Sequence, residues 1–243
     1  MIELNLPQGV SVEEEQDNLG GAFIIDSGIY KGETETVYLD KAPSGALRVT
    51  INFKPNGQNK VIPAVFYISN KNGQFTYKDK QTGEDRPLPG YSQMDTFFKV
   101  TTGKGIAEQV TETKTLSLYD PSQQKEVPTD VSMFMDAIKK TVVVGVLKIS
   151  REKTTKESNY TKGNGQFVDV NEFDKFFYED GRTLKEALEG KNSPEFILKW
   201  KEKNTGVVRV KKAKISGGAA NTGATSGMPG AGSTPAIDPF AEG

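Results

Sequence analysis

Polar and apolar positions alternate most regularly over 46–53, where Leu47, Val49, Ile51 and Phe53 fall on one face and Arg48, Thr50 and Asn52 on the other. This is the two-residue period of a half-buried strand. Pro55-Asn56-Gly57 reads as a turn and 61–69 as the next strand, so the two segments are expected to pair as neighbours. Pro63 belongs near that strand's start or at an irregularity, because it cannot donate to a ladder. Shorter strands are predicted at 22–26, 34–39 and 115–119, and Asn72-Gly73 predicts a hairpin between Ile68 and Phe75. Gln81-Thr82-Gly83 and Pro87-Leu88-Pro89-Gly90 read as loops. Met94, Phe97 and Phe98 have helical spacing and place a helix over 91–100. Residues 133–140 suit a helical turn. The strongest strand is 141–150, TVVVGVLKIS, dense in β-branched residues and interrupted only by Gly145. A basic and polar insertion over 151–165 follows, then an aromatic stretch over 167–178, short helices over 183–188 and 193–200, and a basic closing strand over 207–215.

Strands punctuated by turns, with no repeating β-helix-β rhythm, predict a mainly β protein. The expected architecture is an OB-type Greek-key barrel with helical and loop insertions over 1–215. A flexible Gly/Ala/Ser linker over 216–235 and a docking tip over 236–243 follow it, the linker having little that repays the entropy of ordering.

Composition narrows the chemistry. The 243 residues contain no cysteine and no histidine. Disulfides, thiol nucleophiles and thiolate metal sites are therefore excluded, together with the commonest neutral-pH general base and the main nitrogen ligand for zinc. A carboxylate-only magnesium site stays chemically open. The expectation is a protein without cofactor or catalytic activity. Mean hydropathy is -0.53. No apolar run approaches the roughly 20 residues needed to cross a bilayer, and the acidic start lacks the pattern of an export signal, which predicts an intracellular protein. Thr102-Gly103-Lys104-Gly105 lacks the length and the ending of a phosphate loop.

Charge is near balance, with 31 basic and 32 acidic residues, but it is unevenly distributed. Residues 1–40 carry nine acids against Lys31, whereas 191–216 carry eight bases against two acids. That asymmetry permits a basic face for a polyanion. Aromatic residues lie among the bases: Tyr67, Phe75 and Tyr77 beside Lys71, Lys78 and Lys80, and Tyr160 after Lys148, Arg151, Lys153 and Lys156. Trp200 precedes Arg209, Lys211, Lys212 and Lys214. Stacked rings and neutralised phosphates are what a single strand of nucleic acid requires, with no need for histidine or cysteine. Phe97, Phe98, Phe173, Phe176 and Phe177 recur within apolar patterns and read as core. Tyr67, Tyr77, Tyr160 and Trp200 suit either a core or a platform.

The chain ends in Ala236-Ile237-Asp238-Pro239-Phe240-Ala241-Glu242-Gly243. Ile237 and Phe240, separated by a negative charge and a rigid proline, suit a basic-rimmed apolar pocket on a partner. This ending, with the linker and the expected barrel, resembles the single-stranded DNA-binding proteins of bacterial viruses and, more distantly, those of bacterial replication. The resemblance implies sequence-independent coating of single-stranded DNA in viral DNA replication, recombination or repair inside the host bacterium. It also implies recruitment of replication proteins through Ile237, Asp238, Pro239 and Phe240. A non-enzymatic viral structural or interaction protein with a β domain and a binding tail is the alternative.

Overall fold

The computed structural model describes residues 23–120, 123–157, 160–213 and 216–217. Strands β1 (Gly28–Lys41), β2 (Leu47–Pro55) and β3 (Ile62–Tyr67) form an antiparallel meander. The 46–53 alternation is realised directly: Val49, Ile51 and Phe53 are at most 1% exposed. After β3 come a two-stranded arm, β4 (Thr76–Lys78) and β5 (Asp85–Pro87), and helix α1 (Pro89–Thr102). A second hairpin, β6 (Glu112–Asp120) with β7 (Lys125–Met133), leads through the one-turn helix Met135–Ala137 into β8 (Thr141–Glu157) and β9 (Tyr160–Phe177). Helices α2 (Leu184–Leu188) and α3 (Phe196–Asn204) precede β10 (Val208–Lys211) and β11 (Ser216–Gly217).

The main sheet runs β11-β9-β8-β1-β2-β3. Two edges are shared. Beside β1, β8 occupies the first half and β7 meets Tyr38 and Leu39. Beside β8, β1 pairs as far as Val146 and β10 continues in parallel from Lys148 to Arg151.

The OB-type Greek-key barrel predicted from the sequence does not form. Both sheets are open, and no ladder joins β3 to β9 among the described residues. These strands instead face each other through side chains, with Phe66 and Phe176 at 5.9 Å between ring centroids. Helix α1 fills the seam that a closing ladder would occupy. Its Met94, Phe97 and Phe98 are fully buried at the i, i+3, i+4 spacing, with Phe97 5.1 Å from Phe176 and Phe98 4.7 Å from Phe134. A row of ring contacts replaces the main-chain bonds of a barrel, and helices and open sheets together make a mixed β/α protein. The fold-level ground for the resemblance to single-stranded DNA-binding proteins is removed with the barrel.

Strand β8 explains its own unbroken apolar sequence, since it is buried on both sides. Val142, Val144 and Val146 face the core under α1, while Val143, Leu147 and Ile149 pack with Ile197 and Trp200 of α3. The expected insertion at 151–165 is instead the continuation of β8 and β9 as a long two-stranded arm.

Candidate nucleic-acid interface

The outward face of the meander is fixed by register. Asp40, Arg48 and Tyr67 lie in one cross-strand row, and Tyr38, Thr50 and Val65 in the next. Tyr38 is covered by Val131 and Met133 of β7 and Thr50 is 5% exposed, whereas Val65 and Tyr67 are open at 47% and 49%. The β6–β7 hairpin therefore caps the β1 side of this face and leaves the β3 side free.

Beyond Tyr67 the chain turns within a short loop. Asn70 Oδ1 accepts from the backbone N–H groups of Asn72 and Gln74, at 2.9 and 3.0 Å, which presents Lys71 on a fixed turn. Sequence reasoning placed a hairpin here. The true partner of β4 is β5, because Asp79 nucleates the turn between them by accepting from Gln81 and Thr82. Those bonds, with Arg86 nearby, hold the Asp79 carboxyl below its ordinary range. Lys80 sits in that turn.

The arm is docked to the start of α1. Leu88 N–H donates to the Phe75 carbonyl at 2.8 Å, and Phe75 and Tyr91 are 5.6 Å apart. Gly90 lies against the end of β3 so closely that a Cβ on it would fall 2.1 Å from the Tyr67 carbonyl oxygen. Backbone contacts thus anchor Tyr67 and Phe75 against the start of α1, and Tyr77 follows on β4 opposite Arg86. The exposures of the three aromatic residues, 49%, 42% and 37%, leave ring surface open to solvent. Lys78 is paired with Asp85 at 3.3 Å. Lys71 and Lys80 are exposed and make no ion pair with any described residue.

The remaining predicted bases lie elsewhere and are mostly engaged. Lys148 reaches Asp26 at 3.2 Å, while Glu172 accepts from both Arg151, at 2.5 Å, and Lys211, at 2.6 Å. Arg209 and Lys211 share a face of β10, but Arg209 donates to Asn204 Oδ1 at 2.6 Å. Lys153 and Lys212 are exposed. Trp200 is buried, at 4% exposure, with its indole against Gly145 and its Nε1 donating to Asp174 at 2.6 Å. It packs α3 onto β8 and presents no open ring face. The side chains of Lys156 and Tyr160 fall outside the described set, as do Lys214 and the tip residues Ile237, Asp238, Pro239 and Phe240.

Comparison with family models, curated proteins and solved structures finds no match for the chain.

Sequence reasoning missed Arg48 and Asp40. Arg48 Nε donates to Asp40 Oδ1 and Oδ2 at 2.8 and 3.0 Å, and Nη2 to Oδ2 at 2.7 Å. These bonds raise the already high pKa of Arg48 against the opposing effect of partial burial, and the neighbouring Tyr67 oxygen adds to the rise. The signal was present in the β2 alternation, which puts Arg48 on the outward face, but the pairing with Asp40 depends on β1. Among the described residues no group of three acids is placed to hold a metal ion, and no helix is long and apolar enough to cross a membrane.

Proposed function

We propose that the chain binds single-stranded DNA without regard to sequence, at the corner formed by β3, the 70–74 loop, the β4–β5 arm and the start of α1. What supports this is the exposure of Tyr67, Phe75 and Tyr77 on β3 and the arm, which the start of α1 joins, together with Lys71 and Lys80, exposed on the adjoining turns and without an ion pair to any described residue. Base–aromatic stacking tolerates any sequence because every base has a π-face, and lysines on short turns suit a backbone that passes over them. In a duplex those faces are occupied by neighbouring base pairs, which disfavours it as a ligand. The β8–β10 surface is the weaker choice, because Glu172, Asp26 and Asn204 already occupy most of its cations. The cellular setting of such binding is DNA replication, recombination or repair. The tip Ile237, Asp238, Pro239 and Phe240 adds a peptide for a partner protein, a role supported by its sequence: an apolar anchor whose unbound conformations Pro239 restricts.

The test is fluorescence anisotropy with a labelled oligothymidylate and a labelled duplex over a series of salt concentrations. Single-stranded affinity should exceed duplex affinity and fall with salt, by about 0.7 in logarithmic slope for each phosphate neutralised. Equal or stronger binding of the duplex would refute the proposal. Tyr67→Ala and Tyr77→Ala should each weaken binding by about 1–3 kcal/mol while the protein remains folded.

A further inference from the structure

Arg48 differs from the other cations of the corner in being held rigidly. Three hydrogen bonds to one carboxylate fix the plane of its guanidinium, and the pair opens to solvent from the arginine side, with side-chain exposures of 31% for Arg48 and 10% for Asp40. The cross-strand register sets Tyr67 directly beside it on β3, and Val65, one row along, leaves an apolar step at 47% exposure. The carboxylate at 2.7 Å offsets most of the positive charge that a phosphate would seek. What survives pairing is a flat, weakly hydrated face that is already immobilised.

We propose, on the basis of the single-strand reading above, that Tyr67 and Arg48 form one composite platform on which a nucleic-acid base stacks, with Asp40 as the positioning residue that holds the guanidinium in plane. Arg48 is then a base contact and not a phosphate contact. Guanidinium planes accept bases as aromatic rings do, and one whose orientation is fixed beforehand loses less entropy on stacking.

The experiment measures oligothymidylate affinity against salt for the full chain and for Arg48→Ala, Arg48→Lys, Asp40→Asn and Lys71→Ala. Thermal melting by circular dichroism identifies the folded variants. Arg48→Ala should bind roughly tenfold more weakly with its salt slope unchanged. Arg48→Lys should not restore affinity, because an ammonium keeps the charge but has no planar face. Lys71→Ala should instead lower the slope by about 0.7. Asp40→Asn decides most sharply: removing an acid from a polyanion-binding face should tighten binding on electrostatic grounds alone, whereas loss of the clamp should weaken it severalfold. If Arg48→Ala does not fold, Arg48→Lys and Asp40→Asn carry the test.

Full affinity in Arg48→Lys, a slope reduced by about 0.7 in Arg48→Ala, or tighter binding by Asp40→Asn would each overturn the composite platform. Should those results occur in a protein that still prefers single strands and is weakened by Tyr67→Ala, the single-strand reading stands and this inference alone falls. A wild-type chain with no preference for single strands removes both.

Discussion

Gly145 and Trp200 should be energetically coupled, and a double-mutant cycle measures by how much. An ideal Cβ on Gly145 would lie 3.0 and 3.1 Å from Cζ2 and Cε2 of the indole, closer than ordinary van der Waals contact. Gly145→Ala therefore overpacks the α3–β8 contact, at a cost of about 1–3 kcal/mol, partly offset by the roughly 0.5–1 kcal/mol that replacing a strand glycine returns. A net loss of about 1–2 kcal/mol is expected. Trp200→Phe removes the 2.6 Å bond from Nε1 to the Asp174 carboxylate. Hydrogen bonds to charged groups are worth about 1.5–3 kcal/mol; Asp174 is half-buried and partly rehydrates, which favours the lower end. The shorter phenyl ring also withdraws the indole atoms that a new methyl would strike. In the double variant the overpacking should vanish while the gain from replacing glycine stays, so its destabilisation falls short of the sum of the single effects by the overpacking cost, about 1–3 kcal/mol. Urea unfolding followed by far-UV circular dichroism is the assay, since the substitution removes the single tryptophan. Additivity within about 0.5 kcal/mol would show that ring and glycine do not share this space. The same Trp200→Phe protein should bind single-stranded DNA as the wild type does, and a selective loss of affinity without loss of stability would contradict its placement in the core.

Gly90→Ala should destabilise the protein by about 1–3 kcal/mol and lower oligothymidylate affinity as well, because the methyl would meet the Tyr67 carbonyl at 2.1 Å and displace the arm; thermal melting and anisotropy report the two effects. Burial opposes the charge of Glu186, but hydrogen bonds from Thr183, Phe196 and Glu195 outweigh it and hold its carboxyl below the usual range. Its contribution is thus present above the unfolded-state value of about 4.3 and lost as pH falls through the lower folded-state value. Glu186→Gln should cost about 1 kcal/mol at neutral pH and progressively less in acid, read from urea midpoints across pH. Glu172→Gln frees Arg151 and Lys211 on the β8–β10 surface and should leave the salt dependence of single-strand binding unchanged, while a steeper slope would place the strand on that surface and not at the corner.

Local pattern carried the fold a long way. The meander, α1 and β8 follow from two-residue and 3.6-residue periods that the core reads directly, since Ile51, Phe53, Phe97 and Phe98 are all essentially inaccessible. Strand β7 was missed because KEVPTDVSM is polar and contains Pro128; its stability comes from pairing with β6 and from placing Val131 and Met133 over Tyr38. The long β8–β9 arm has the sequence of an insertion for the same reason, its strand character residing in a ladder between two polar segments. Barrel closure is where the structure departs furthest from the local pattern, since both sheets are open. Whether β3 meets β9 by main-chain bonds or across a helix depends on how far Phe66, Phe97 and Phe176 hold the strands apart, and no single segment encodes that distance.

The candidate site shows why charge along a sequence and charge on a surface are different quantities. The closing segment is rich in bases, yet Lys211 and Arg151 converge on Glu172, which lies between them in the fold though 39 and 21 residues away along the chain. Around Tyr67 the bases are fewer, but the turns that carry Lys71 and Lys80 are built by Asn70 and Asp79 through backbone bonds, so neither lysine is needed to hold its own loop. A cation that has no structural duty can exchange water for phosphate without first breaking an ion pair, whereas one already bonded to a carboxylate must give up that bond. Arg48 belongs to neither class: its pairing removes it from competition for phosphate and, by fixing its plane, suits it to stacking instead. The sparse corner at the end of β3 is on this argument a better site for a single strand than the denser basic surface of β8 and β10.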